Sequence, residues 1–247
     1  MWDRPDILNR AADLLVTLAL LLAVAAAIYV VAQSPVFEVR EVQLRGMIAQ
    51  VTRDQVAEIM QRDNRSNLVT LDLGATRAAF EKLPWVRSVM LRRHWPARLE
   101  VMIEEHVALG RWGDAALVNT HGEVFEATSS AELPVFRGPT EAAKEIAIQY
   151  EYFRSALAPI GRTPVQVVVS SRRAWQIRLD GGTEVELGRE NMEARLARFV
   201  SVYDRTIGKL NRRVEYVDLR YPNGFAVRIP ELREGEPQKR GKGRGRV

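Results

Sequence analysis

From Leu14 to Ala32 the chain carries no charged residue, and Thr17 is the one polar interruption before the ring of Tyr29. In lipid every backbone polar group must be satisfied within its own segment, so a run of this kind can only be helical if it crosses a bilayer. Its roughly nineteen residues span about 28 Å at the helical rise, close to the ~30 Å hydrocarbon thickness. Tyr29 suits the interface at one end, and Ser34-Pro35 stops the helix because proline cannot continue the ladder. A cleaved signal peptide is the rival reading. The small residues Ala23–Ala27 resemble a cleavage region, but Ile28-Tyr29-Val30-Val31 prolongs the apolar run past the length of a signal core. An uncleaved anchor over 14–33 is expected, after a cytoplasmic N-terminus at 1–13. Basic residues do not fix its direction, since Arg4 and Arg10 lie on one side and Arg40, Arg45 and Arg53 on the other. A long following domain is translocated largely regardless of charge, which favours the bulk outside the cytoplasm.

The remainder reads as globular, with 47% hydrophobic and 27% charged residues overall. There is no cysteine, which removes disulfides, thiolate metal sites and a cysteine nucleophile together. The net charge of +5 is carried by the end of the chain, where Lys239, Arg240, Lys242, Arg244 and Arg246 stand without an acid. Residues 231–247 therefore read as a disordered basic tail. No aromatic residue is interleaved there for base stacking, so nucleic-acid binding is not indicated.

Residues 36–105 form a first unit. Phe37–Leu44 alternates with one slip and predicts a strand with a bulge. Thr52-Arg-Asp-Gln55 is a capping box opening a helix with Val56, Ile59 and Met60 on one face. Asp72 caps a second helix carrying Leu73, Ala79 and Phe80. Strands follow from Val86 to Arg92 and through Leu99, Val101 and Ile103, joined by His94-Trp95-Pro96. The β-α-α-β-β order predicts a small α+β layer structure.

Residues 106–230 form a larger unit, read as a mostly antiparallel β-domain with two helices. His121-Gly122, Asp180-Gly181-Gly182 and Pro222-Asn223-Gly224 each separate apolar runs as hairpin turns do. Glu132–Arg137 and Val165–Val169 read as further strands. Helices are expected over 141–157 and 190–209, the latter with Leu196, Phe199, Val200 and Tyr203 on one face.

Catalytic patterns do not emerge. His94, His106 and His121 lack metal-ligand spacing, and Glu104-Glu105 must point to opposite faces of a strand. No nucleophile elbow or phosphate loop is present. Trp85 and Trp95 read as core or packing residues. No metal, cofactor or catalytic residue is expected. What remains is binding, and the accessible mode is strand addition to an open sheet edge. The last strand, Phe225–Ile229, is the candidate because no later segment reads as a strand that would cover it. The residues alone leave open whether that strand is functional or merely structural.

Several blocks in order resemble one known family. Phe37-Glu-Val-Arg-Glu-Val, Leu83-Pro84-Trp85-Val86, Arg93-His94-Trp95-Pro96 and Glu104-Glu105-His106 are similar to the POTRA domain of the bacterial FtsQ/DivIB family. Val118-Asn-Thr-His-Gly-Glu-Val-Phe125, Trp175-Gln-Ile-Arg-Leu and Tyr216-Val-Asp-Leu-Arg-Tyr221 resemble its later domain. The resemblance implies a non-enzymatic scaffold of the cell division machinery. It would sit in the inner membrane at the septum, as a single-pass type II protein, and control septal peptidoglycan synthesis. It also implies that FtsB, and through it FtsL, adds a strand to the last strand of the β-domain. The implied contact residues are Tyr221, Asn223, Gly224, Phe225, Val227 and Ile229, with Arg173 and Arg220 as cations for acidic partner residues. The family often has tryptophan where Ile229 stands here. FtsK, FtsW and the septal transpeptidase are further implied partners, FtsK through the POTRA domain. Phe225→Glu and a proline at Val227 are the substitutions this reading selects. An adaptor in outer-membrane assembly or secretion is the alternative, and a membrane-anchored cell-wall enzyme a third class.

Overall fold

Helix formation begins before the apolar run. In a computed structural model describing residues 5–62, 67–210 and 212–230, α1 spans Pro5–Ala32. Its stretch Ala12–Ala32 is long and apolar enough to cross a bilayer, and none of it is buried by protein. Internal contacts group the chain into two units, Met1–His106 and Val107–Val247. The basic tail at 231–247 lies outside the described residues.

In the first unit β1 (Glu41–Arg45), α2 (Arg53–Arg62), α3 (Leu73–Phe80), β2 (Val86–His94) and β3 (Arg98–Glu105) follow in the expected order. The sheet order is β1-β3-β2, with β1 parallel and β2 antiparallel to the central strand. Leu99, Val101 and Ile103 of β3 are almost fully buried against Phe80, Val56 and Ile59. The capping box forms: the Thr52 amide donates to Gln55 Oε1 at 2.9 Å, and the Gln55 amide donates to Thr52 Oγ1 at 3.3 Å. Asp72 Oδ1 accepts from the amides of Gly74 and Ala75.

One expectation here needs correction. The first strand does not start at Phe37, because Pro35–Phe37 is a 3-10 turn, capped by the Ser34 hydroxyl. Proline fixes φ there, and the chain enters the sheet only at Glu41. Trp95, read as a core or packing residue, is 60% exposed and packs edge-on against Phe37. The adjacent acids do diverge. Glu104 meets Arg87 and Ser88, whereas Glu105 turns to the loop before α2. There the Glu105 carboxylate accepts from the amides of Ala49, Gln50 and Val51, at 2.7 to 3.0 Å. No sequence pattern announced that clamp.

The second unit contains a nine-stranded mixed sheet. Its strands are β4 (Ala108–Trp112), β5 (Ala116–Asn119), β6 (Val124–Phe125), β7 (Val135–Arg137), β8 (Pro164–Val169), β9 (Trp175–Leu179), β10 (Glu184–Gly188), β11 (Tyr216–Asp218) and β12 (Ala226–Arg228). Their order across the sheet is β12-β11-β10-β9-β8-β7-β4-β5-β6. Parallel pairs join β10 to β11, β4 to β7 and β7 to β8, and the other pairs are antiparallel. Helices α4 (Ala143–Leu157) and α5 (Met192–Tyr203) lay Ile146, Phe153, Leu196 and Phe199 on the inward side chains Val167, Trp175, Ile177, Val185 and Leu187.

Strand β4 has no counterpart in the sequence reading, because Gly110 interrupts its pattern. A Cβ at Gly110 would lie 2.5 Å from the Phe136 ring, so the missing side chain is what lets that ring fill the core. The expected strand from Glu132 shortens to β7, as Pro134 can donate no amide. The helix expected to Lys209 ends at Tyr203. The Thr206 hydroxyl bonds back to the Val202 carbonyl at 2.8 Å, and Thr206 leaves helical dihedrals at φ −116° and ψ −87°.

Replacing Glu105 by alanine strips three loop amides of a charged acceptor. The expected loss is about 1–3 kcal/mol in unfolding free energy, read as a lower urea midpoint for the first unit with the slope unchanged.

Candidate partner-binding edge

One edge of the larger sheet is built by the last hairpin, and β6 forms the other. Strand β12 runs antiparallel to β11, pairing Tyr216 with Arg228, Val217 with Val227 and Asp218 with Ala226. Strand β11 is engaged on its other side by β10. There the Glu184 amide donates to the Glu215 carbonyl, and the Leu219 amide to the Glu186 carbonyl, both at 2.9 Å. Successive peptide groups in a strand point to opposite sides. The Glu215 carbonyl and the Leu219 amide thus face β10, whereas the Glu215 amide donates to the Arg228 carbonyl of β12 at 3.0 Å, and Tyr216 and Asp218 turn toward β12. Ala226 and Arg228 answer them, which leaves the amide and carbonyl of Val227 directed outward. Among the described residues no strand pairs with that outer side.

Side chains divide by face. Phe225, Val227 and Ile229 lie on the helix-covered face with buried Val217. Phe225 meets Phe199 of α5 edge-on at 5.8 Å between ring centroids, and both Phe225 and Ile229 pack on the core. Phe225 is thus partly a core residue, so Phe225→Glu would disturb the domain as well as its edge. Val227 stays 36% exposed and Tyr221 55% exposed. Asn223 is exposed and Gly224 half-buried in the turn. On the opposite face the Arg228 guanidinium lies over the Tyr216 ring, 5.3 Å from its centroid.

The two expected cations stand apart. Arg220 lies at the base of this hairpin, where its guanidinium donates to both Asp218 carboxylate oxygens at 2.9 and 2.7 Å. That bond holds the Asp218 carboxyl below its ordinary range and raises the Arg220 pKa. Arg173 belongs to the turn before β9, with φ +62°, and is paired with Glu145 of α4. Three strand spacings, roughly 14 Å, separate β9 from β12, so the structure does not bring Arg173 onto the hairpin. Both cations keep about half of their side chains exposed.

Sequence reasoning missed the clasp that sets the hairpin. Arg198 of α5 donates to the carbonyls of Tyr221 and Pro222. Arg195, one turn earlier, donates to the Leu187 carbonyl at 2.7 Å. The signal was available as two arginines three apart, flanking the apolar stripe of Leu196 and Phe199. Gly188 makes room for this arrangement, with φ +80° and a would-be Cβ 2.7 Å from the Arg195 guanidinium. Beside it, burial raises the pKa of Glu186, opposed by Arg220 and reinforced by Asp218 and Glu184. No group of three or more His, Cys, Asp or Glu gathers to hold a metal among the described residues.

Known proteins match the chain along most of its length. Residues 37–106 fit the model of the FtsQ-type POTRA domain, and residues 110–220 that of the C-terminal region of cell division protein FtsQ/DivIB. A cell division protein FtsQ of Nitrosospira multiformis is 45% identical, covering 92% of this chain and 99% of its own. Those of Burkholderia pseudomallei and Neisseria gonorrhoeae are 40% and 34% identical, covering 94% and 97% of this chain and 96% and 98% of theirs.

A carboxyl whose folded pKa is raised weakens the fold above that pKa and ceases to do so once protonated in both states. Glu186→Gln is therefore expected to raise the thermal midpoint at neutral pH. The gain should fade as pH falls through the raised pKa toward the ordinary carboxylate range, as calorimetric scans across pH will show.

Proposed function

We propose a function from one premise: this chain belongs to the FtsQ/DivIB family of cell division proteins. The family is non-enzymatic, so the chain is a division protein without a reaction centre. That also sets aside the outer-membrane adaptor and the cell-wall enzyme. Its one N-terminal apolar helix is consistent with a single-pass membrane anchor.

Beyond that, the reading is a scaffold that captures the periplasmic part of FtsB, and with it FtsL, by strand addition at β12. The observation that carries it is the outward-facing peptide group of Val227 on an edge strand that no other described strand covers. An incoming strand satisfies that row, and Val227 with Tyr221 offers it apolar surface on one face. Arg228 and Arg220 offer cations to acidic partner side chains. Arg173, paired with Glu145, would contribute only by exchanging that partner. Residues 36–105 would act as the POTRA recruitment domain, residues 106–230 as the FtsB-binding domain, with FtsK, FtsW and the septal transpeptidase reached through the assembly. Placement of the bulk in the periplasm at the septum, and control of septal peptidoglycan synthesis, follow from the same reading.

Proline at Val227 removes an amide that faces away from β11 and meets no other strand among the described residues, so the β11–β12 ladder should survive it. Titration calorimetry of the full chain in detergent with an FtsB periplasmic fragment should show at least a tenfold loss of affinity, about 1.4 kcal/mol, with the thermal midpoint nearly unchanged. Wild-type affinity in the folded variant would reject strand addition at this edge.

A further inference from the structure

The end of α1 is not a free stalk. Asn67 Nδ2 donates to the Ala32 carbonyl at 2.6 Å, closing the last turn of the helix onto the first folded unit. The Leu68 amide donates to the Phe37 carbonyl at 2.7 Å, and Phe37 meets Trp95 edge-on at 5.7 Å between centroids. Three segments distant in sequence thus gather around one helix end: the 3-10 turn Pro35–Phe37, the loop at Val69, and the β2–β3 turn at Trp95. Each presents one uncovered apolar side chain, with Val36 53%, Val69 38% and Trp95 60% exposed.

Depth decides what this surface meets. An open recess of about 410 Å³ is lined by Ala27, Ile28 and Val31 of the helix together with Phe37, Val69 and Trp95. Ala27 and Ile28 lie four to five residues before Ala32, roughly 6–7 Å down the axis at the helical rise. The stretch Ala12–Ala32 is the apolar span itself. Side chains that share a recess with Ala27 and Ile28 therefore sit at the level of the bilayer's edge, not above it. The polar interfacial layer is about 6–7 Å deep on each side, which matches that reach. An indole is the side chain best suited to that layer, apolar in body and with one N–H for a headgroup or water.

We infer that Val36, Val69 and Trp95 form a second membrane contact, a wedge seated in the leaflet next to the first folded unit, with the recess between wedge and helix filled by lipid acyl chain. The occupant is lipid because the surface is continuous with a span that itself must be lipid-covered, and because no charged side chain lines the recess. The consequence is mechanical. One helix alone leaves a domain free to swivel about its tether. A wedge beside it fixes the tilt of the first unit against the membrane plane. The inference rests on α1 crossing the bilayer.

The absence of cysteine makes the test direct. Single substitutions Val36→Cys, Val69→Cys, Met47→Cys and Leu21→Cys in the full chain accept a nitroxide label. Met47 is 94% exposed and lies beyond β1, at the end of that sheet away from Trp95. The labelled chains are placed in vesicles of phosphatidylethanolamine and phosphatidylglycerol. Collision with oxygen and with a water-soluble nickel chelate is then read by electron paramagnetic resonance. Labels at Val36 and Val69 should lose nickel accessibility and gain oxygen accessibility relative to Met47. Nickel accessibility at both equal to that at Met47, with Leu21 still shielded, overturns the wedge alone and leaves the surface to a protein partner. A Leu21 label open to nickel overturns the membrane span and the wedge together.

Discussion

A peptide group in a sheet needs a partner, and the most consequential feature of this chain is where that need is left unmet within its described residues. Strand β11 is paired on one side with β10 and on the other with β12. The last strand then has one side to spend inward and one to spend outward. An edge of this kind invites pairing, and proteins usually blunt it with charge, proline or a bulge. Here Arg228 and Pro230 follow closely, yet Val227 just before them keeps an apolar side chain and an outward amide. Strand addition uses both, the amide for affinity and the side chain for specificity.

The surroundings hold that edge still. Phe225 and Ile229 anchor the outermost strand to the core, and Arg198 fastens the turn before it to α5. An edge already fixed in its bound geometry loses less entropy when a partner docks. The cations nearby are already engaged, Arg220 with Asp218 and Arg228 over the Tyr216 ring. An acidic partner residue must therefore share or displace an existing contact. That favours charge pairs as a check on register over charge pairs as the main source of affinity.

Much of the architecture was legible because periodicity and turn chemistry are local. The capping box at Thr52, the cap at Asp72, the alternation of Leu99, Val101 and Ile103, and the three Gly-ending hairpin turns all correspond to elements the structure contains. Errors fell where a distant group overrode the local pattern. Gly110 hid a strand because its meaning lies in the Phe136 ring packed against it. Trp95 read only as core or packing, because nothing beside it in sequence tells that its neighbours are the end of α1 and the loop at Val69. At the candidate edge the hairpin itself was readable, whereas Arg198, Asp218 and the half-buried state of Phe225 were not.

An apolar helix of bilayer length, two successive α+β units, the absence of cysteine and the hairpin at Pro222-Asn223-Gly224 are all written in residue order. Each follows from residue type and spacing within a few turns of chain. It takes the folded sheet to show that this hairpin lies at an edge, which of its amides face outward, and that Arg173 lies three strands away from it. Strand order and hydrogen-bond parity depend on which segments meet across long stretches of chain. A residue's neighbours in sequence do not carry that information, because pairing is settled by the packing of the whole sheet beneath its two helices.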